Sequence, residues 1–164
     1  MRYVFAALFF TAANWLLADD SGTKTFKMAD VLIDIPNFLA TRDDSGTLVA
    51  YPPNTDFANI RVSVISILKD GKGVPNAGKT SVETRAKELG AQLNQTDHKI
   101  WCYAKEPSSE VPGSTIHFWY VALDADVVAI SLFIDSKEEA NPLTERVWKS
   151  VPKIIESLRK KGET

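Results

Sequence analysis

The chain has 164 residues, 45% of them apolar, with 19 Lys and Arg against 21 Asp and Glu. A formal net charge of -2 supplies no basic field for gripping nucleic acid, and 24% charged residues with 8 Gly and 8 Pro exclude collagen-like and disordered compositions. The length suits one domain and leaves no room for two catalytic ones.

Residues 1–18 hold 15 apolar residues and one charge, Arg2. A single basic residue, an apolar stretch to Leu17 and a small Ala18 before Asp19-Asp20 read as a signal peptide cleaved after Ala18. Asn14 interrupts the apolar run, which falls short of the ~20 residues of a spanning helix. The expectation is therefore a periplasmic or secreted soluble protein, with residues 19–164 forming one domain and no membrane span left after cleavage. Cleavage removes one basic residue, so the net charge becomes -3. Cys102 is the one cysteine, so no internal disulfide can form and stability must come from the core.

Strand signals come first. Asp30 to Ile35 ends at Pro36, Thr47 to Tyr51 ends at Pro52-Pro53, and Ile60 to Leu68 is rich in β-branched residues. From Thr80 the period changes, with Val82, Ala86, Leu89 and Leu93 at helical spacing and Thr80-x-x-Glu83 offering a capping box. Three more strands follow at Lys99 to Ala104, Ser114 to Leu123 and Val127 to Ile134, the last two joined by a tight turn at Asp124-Ala125-Asp126. Consecutive apolar positions in Ile116 to Val121 suggest a sheet covered by helices on both faces. A final helix begins with Asn141 as cap and Pro142 at its first position, carries Leu143, Val147, Val151, Ile154, Ile155 and Leu158 in a stripe, and should kink at Pro152. The expected fold is α+β, an α/β/α sandwich on a mostly antiparallel six-stranded sheet in the order βββ-α-βββ-α.

Gly73 to Thr80 satisfies the phosphate-loop pattern G-x-x-x-x-G-K-[ST], which would have Lys79 reach outer phosphates and Thr80 bind magnesium. A P-loop nucleotide-binding protein is thus the alternative from another functional class. Three features oppose it. The strands look antiparallel, Lys69 to Lys72 separate the preceding strand from the first glycine, and the residues after Thr80 are too few for further βαβ units of about 30 residues each. The preferred reading is a Gly- and Lys-rich loop joining strand three to a helix.

Two histidines occur, His98 and His117. His98 and Cys102 stand about 13 Å apart along a strand, too far for direct activation. Nothing in the sequence has metal-ligand or cofactor spacing, so catalytic, metal and cofactor residues are all expected to be none, and the chain is read as a non-enzyme. Cys102 reads as a small buried hydrophobe and His117, beside Phe118 and Trp119, as a hydrogen-bonded sheet residue. Among the aromatics, Trp101 and Tyr103 share one side of their strand and are the candidate anchors for a protein partner, provided that the helices leave that side open.

Several of these features together resemble the PsbP-like superfamily. They are Ile35-Pro36-Asn37-Phe38 ending strand one, Tyr51-Pro52-Pro53 ending strand two, and Val128 to Ile134 leading to a terminal helix that closes on Ile155-Glu156-Ser157-Leu158. The group includes the photosystem extrinsic protein, a nuclear-import Ran-binding factor and exported bacterial DcrB-like proteins. The resemblance implies an α/β/α sandwich and non-enzymatic roles in binding other proteins, and it carries over no site residues. This chain lacks the lipid-bearing cysteine of the DcrB-like members. The resulting reading is an exported, non-enzymatic protein-binding module, with a periplasmic immunity protein against a secreted, type VI-like toxin as the alternative. Amino-terminal sequencing of the protein from the cell envelope should begin at Asp19, and an intact Met1 would exclude cleavage after Ala18.

Overall fold

The computed structural model describes residues 22–55, 57–96 and 99–162, so the leader and His98 lie outside the described residues. The chain enters through a hairpin of β1 (Thr23–Met28) and β2 (Val31–Pro36), followed by β3 (Ala40–Asp44), β4 (Thr47–Tyr51) and β5 (Ala58–Ser66). A small hairpin of β6 (Leu68–Lys69) and β7 (Lys72–Gly73) leads into helix α1 (Ala77–Leu89). Next come β8 (Leu93–Gln95), β9 (Ile100–Pro107), β10 (Thr115–Leu123), β11 (Asp126–Ile134), helix α2 (Pro142–Ser157) and a terminal β12 (Arg159–Lys160).

The main sheet has seven antiparallel strands, not six, in the order β3-β4-β5-β11-β10-β9-β8. Two causes account for the difference. The expected first strand, β2, leaves the main sheet and pairs with β1 and β12 in a separate three-stranded sheet. The edges β3 and β8 lack an apolar alternation because their positions are mostly solvated, which is how edge strands resist pairing with other chains.

One face of the main sheet meets α2 and the small sheet. Ile60 and Val62 of β5, Val128, Ile130 and Leu132 of β11, and Val121 of β10 are fully buried there with Val147, Val151 and Ile154 of α2. Each such side chain contributes roughly 1.5–3 kcal/mol when buried. The start of α2 follows expectation, since Asn141 Oδ1 accepts from the Leu143 N–H at 2.9 Å and Pro142 opens the helix. The helix then runs continuously through Pro152 to Ser157.

Helix α1 packs on the opposite face, burying Val82 and Ala86 against Cys102, Ala122 and Val127. It does not start at Thr80. Asn76 precedes the first turn with a left-handed backbone (φ 59°) and makes no side-chain cap, so Thr80 lies inside the helix. The orphan amides of that first turn find acceptors in the β10–β11 turn: Asp124 Oδ1 takes the Asn76 N–H at 3.0 Å and the Asp124 carbonyl takes the Gly78 N–H at 2.8 Å. The helix stops at Gly90 (φ 61°), where the Gly90 and Ala91 N–H groups bond back to Lys87 and Ala86. Leu89 and Leu93, expected on the buried stripe, are therefore exposed, at 40% and 39%.

The close approach at Gly78 admits only glycine. A Cβ there would sit 2.2 Å from the carbonyl oxygen of Asp126, a backbone atom that cannot swing away. Gly78→Ala should destabilise the protein by about 3 kcal/mol, the upper range for overpacking, read as a lower urea midpoint with unchanged cooperativity.

Candidate functional site

The register of the main sheet defines the face that α1 shares. Arg42 on β3 stands opposite Val49 on β4, Val49 opposite Arg61 on β5, Arg61 opposite Ser131 on β11, and Ser131 opposite Phe118 on β10. One row onward, Asn59 pairs with Phe133 and Phe133 with Ile116. In the other direction Ser63 pairs with Ala129, and Ala129 with Tyr120. Because side chains alternate along a strand, all of these share one face.

Helix α1 covers only the end of this face near the β10–β11 turn, through its contacts with Ala122, Val127 and Cys102. Helix α2 lies on the other side, so each face carries one helix, and the cover on the α1 side is partial. A helix of 13 residues, about 20 Å long, tied to the turn at one end cannot reach over seven strands. Ile116, Phe118, Tyr120 and Phe133 are consequently left partly exposed, with Phe118 and Tyr120 stacked at 6.4 Å between centroids and 11° between planes. Arg42 and Arg61 are exposed, and neither makes an ion pair among the described residues. Arg42 lies 5.5 Å from the Tyr51 ring centroid, and Arg85 of α1 lies 5.3 Å from that of Tyr120. Hydrogen bonds to the Tyr120 hydroxyl at 3.5 Å and Glu88 at 3.2 Å raise the Arg85 pKa further.

A groove of about 710 Å³ continues this face between α1 and β5. Val82, Tyr120 and Val127 form its floor, and Ile65, 53% exposed, forms its outer wall. Short hydroxyl side chains on α1, Thr80, Ser81 and Thr84, leave it open.

The phosphate-loop residues serve packing. Gly78 abuts the β10–β11 turn as described above, and a Cβ on Gly73 would come within 2.9 Å of Ala125 Cβ. The position where loop amides would meet a phosphate holds the Asp124 carboxylate, which repels one. Lys79 faces Glu83 at 4.0 Å across one helical turn. The glycine spacing is thus accounted for by a close approach of two backbones.

Trp101 and Tyr103 do share a face, and it is the one that α2 lies on. Both are partly buried against the main core. Tyr103 joins His117, Trp119 and Trp148 in an aromatic group, with Tyr103 and Trp148 edge-on at 6.5 Å and His117 and Trp148 at 4.7 Å. Trp148 remains 37% exposed at its rim. Sequence spacing could not join Trp148 to β9 and β10, because only the seating of α2 brings them together.

The Tyr103 hydroxyl and His117 Nδ1 are 2.7 Å apart. Burial pushes the Tyr103 phenol up. Burial, and secondarily the Lys105 charge, holds His117 below its ordinary value, with Glu139 opposing. Cys102 is fully buried among apolar neighbours, and that burial raises its thiol pKa and keeps it protonated. Among the described residues no group of His, Cys, Asp and Glu is arranged to hold a metal.

No family model and no curated protein matches the chain. Comparison with solved structures shows a PsbP-like fold. The chain is similar to a protein of Bacteroides thetaiotaomicron at 20% identity and TM-score 0.62, covering 87% of this chain and 49% of the other. It therefore spans about half the length of that protein. It is also similar to the solution structure of cyanobacterial PsbP (CyanoP) from Synechocystis at 10% identity and TM-score 0.52, covering 85% of this chain and 93% of the other. Among the described residues no helix is long and apolar enough to cross a membrane.

In an NMR titration His117 should show a midpoint below 6.5, and Lys105→Ala should raise it, since removing a positive neighbour favours the imidazolium.

Proposed function

We propose that the chain is an exported, non-enzymatic module that binds a protein partner through the α1-side face of its main sheet. One observation carries the reading: the middle of that face bears Phe118, Tyr120, Phe133 and Arg61, with no Lys, Asp or Glu among them. Interface cores are enriched in aromatics and Arg and depleted in Lys and acids, and Tyr and Arg recur among the residues that dominate binding energy. Export is supported by the composition of residues 1–18. A secreted toxin held by an immunity protein is one partner that this reading accommodates. Trp101 and Tyr103, with Trp148 at the surface beside them, are the rival anchors on the opposite face.

Site-specific photo-crosslinking separates the two faces. A benzophenone side chain at Phe118 should trap one defined partner in the exported fraction, and the adduct should be lost when Arg61→Glu is added. Adducts from position Trp148 alone would place the partner on the other face and overturn the proposal.

A further inference from the structure

The three arginines of the open face are spaced in a way that specifies the chemistry of the partner. Arg42 is on β3 and Arg61 on β5, two strands away. Arg85 stands over Tyr120 on β10, two strands beyond β5. Strands lie about 4.8 Å apart and residues about 3.4 Å apart along a strand, so at the backbone Arg61 is about 10 Å from Arg42 and about 12 Å from Tyr120, which lies two strands and two residues away. All of them are exposed. Among the described residues the only ion pair they make is the Arg85–Glu88 contact, which is about half exposed on both sides and is weak for that reason. The acids of the face stand at its margins: Asp44 near the β3–β4 turn, Glu88 on α1 and Glu106 on β9. Arg61 therefore stands in the middle of the face beside Phe118 and Ser131 with no acid next to it, and Arg42 and Arg85 flank it, within a chain of formal net charge -2.

We propose that the segment docked on this face is an acidic peptide stretch of the partner, with carboxylates about 10–12 Å apart that engage Arg42, Arg61 and Arg85. This inference rests on the reading of the open face as the docking surface. Guanidinium groups take carboxylates through paired N–H donors, and Arg42 and Arg61, which make no ion pair among the described residues, break none in doing so. An apolar residue between the acids at Arg61 and Arg85 rests on Phe118, and one at the Arg85 end enters the groove beside Ile65. A polyproline II segment with an acid at every third position comes close to the spacing, since three residues of such a helix advance about 9 Å along one side and the long arginine side chains reach over the remainder.

The test uses three fluorescein-labelled nonapeptides, Glu-Pro-Leu, Gln-Pro-Leu and Lys-Pro-Leu each repeated three times, titrated into isotope-labelled protein from the exported fraction. The Glu peptide should shift the amides of Arg42, Arg61, Ser131 and Phe118. Its affinity should fall about tenfold with Arg61→Glu, and it should weaken as salt is raised. Equal binding of the Gln peptide at the same amides overturns the acidic assignment and leaves the docking face standing. Shifts confined to the basic stripe of Arg146, Lys149 and Lys153 on α2, or no shifts with any peptide, overturn the proposal. Concentration-dependent dimerisation that shifts the same amides without peptide makes the occupant a second copy, and overturns it as well. Failure of the docking face itself would be read separately, as loss of the Phe118 crosslink.

Discussion

Three distant parts of the chain converge on the two-residue turn between β10 and β11. Asp124 accepts the first amides of α1 through both its carbonyl and its carboxylate. The Ala125 carbonyl takes the Ile67 N–H at 2.9 Å, which seats the β6–β7 hairpin. Asp126, 3% exposed, pairs with Lys160 of the terminal strand. A buried carboxylate that loses its cation costs about 3–5 kcal/mol, so this ion pair makes the attachment of β12 conditional on the turn. Arg159 adds a second tie next to it by meeting Asp34 of β2 through two nitrogens, which holds the Asp34 carboxyl below its ordinary value. Together these contacts fix α1, the small hairpin and the carboxyl end of the chain relative to one strand pair.

That anchoring also explains the asymmetry of the sheet. On one side α2 and the three-stranded sheet together cover the centre, and the residues beneath are almost all fully buried. On the other side a single short helix is held by its amino end against the turn. Only Val82 and Ala86 of its larger side chains are buried, and the aromatic residues farther along β10 and β11 stay partly exposed. A small protein gains little stability from keeping Phe118, Phe133 and Tyr120 in contact with water. Their presence beside Arg42 and Arg61 is the observation on which the proposed docking surface rests.

Much of the fold was legible because its signals are local. Asn141-Pro142 marked the start of α2, the runs of β-branched and aromatic residues marked β10 and β11, and the short Asp124-Ala125-Asp126 link marked their turn. The misreadings also have identifiable causes. Thr80-x-x-Glu83 has the form of a capping box, yet the helix starts earlier because Gly78 must lie against Asp126. Gly73 to Thr80 has the form of a phosphate loop, yet both glycines are required by the same turn. The candidate site was the least legible part. Arg42, Arg61 and Phe118 are scattered over 77 positions, and nothing in their neighbourhoods marks them as one surface.

The sequence by itself determined the α+β class, most strand and helix positions and the fate of Cys102 as a buried residue, because each depends on periodicity or composition over a few neighbouring residues. Only the tertiary structure decided the seventh strand, the departure of β2 into a second sheet, the function of the two glycines and the open arginine-bearing face. Those depend on register between strands and on where a tethered helix stops covering a sheet, and both are set by contacts such as Asp34–Arg159 and Asp126–Lys160 that join residues far apart in the chain.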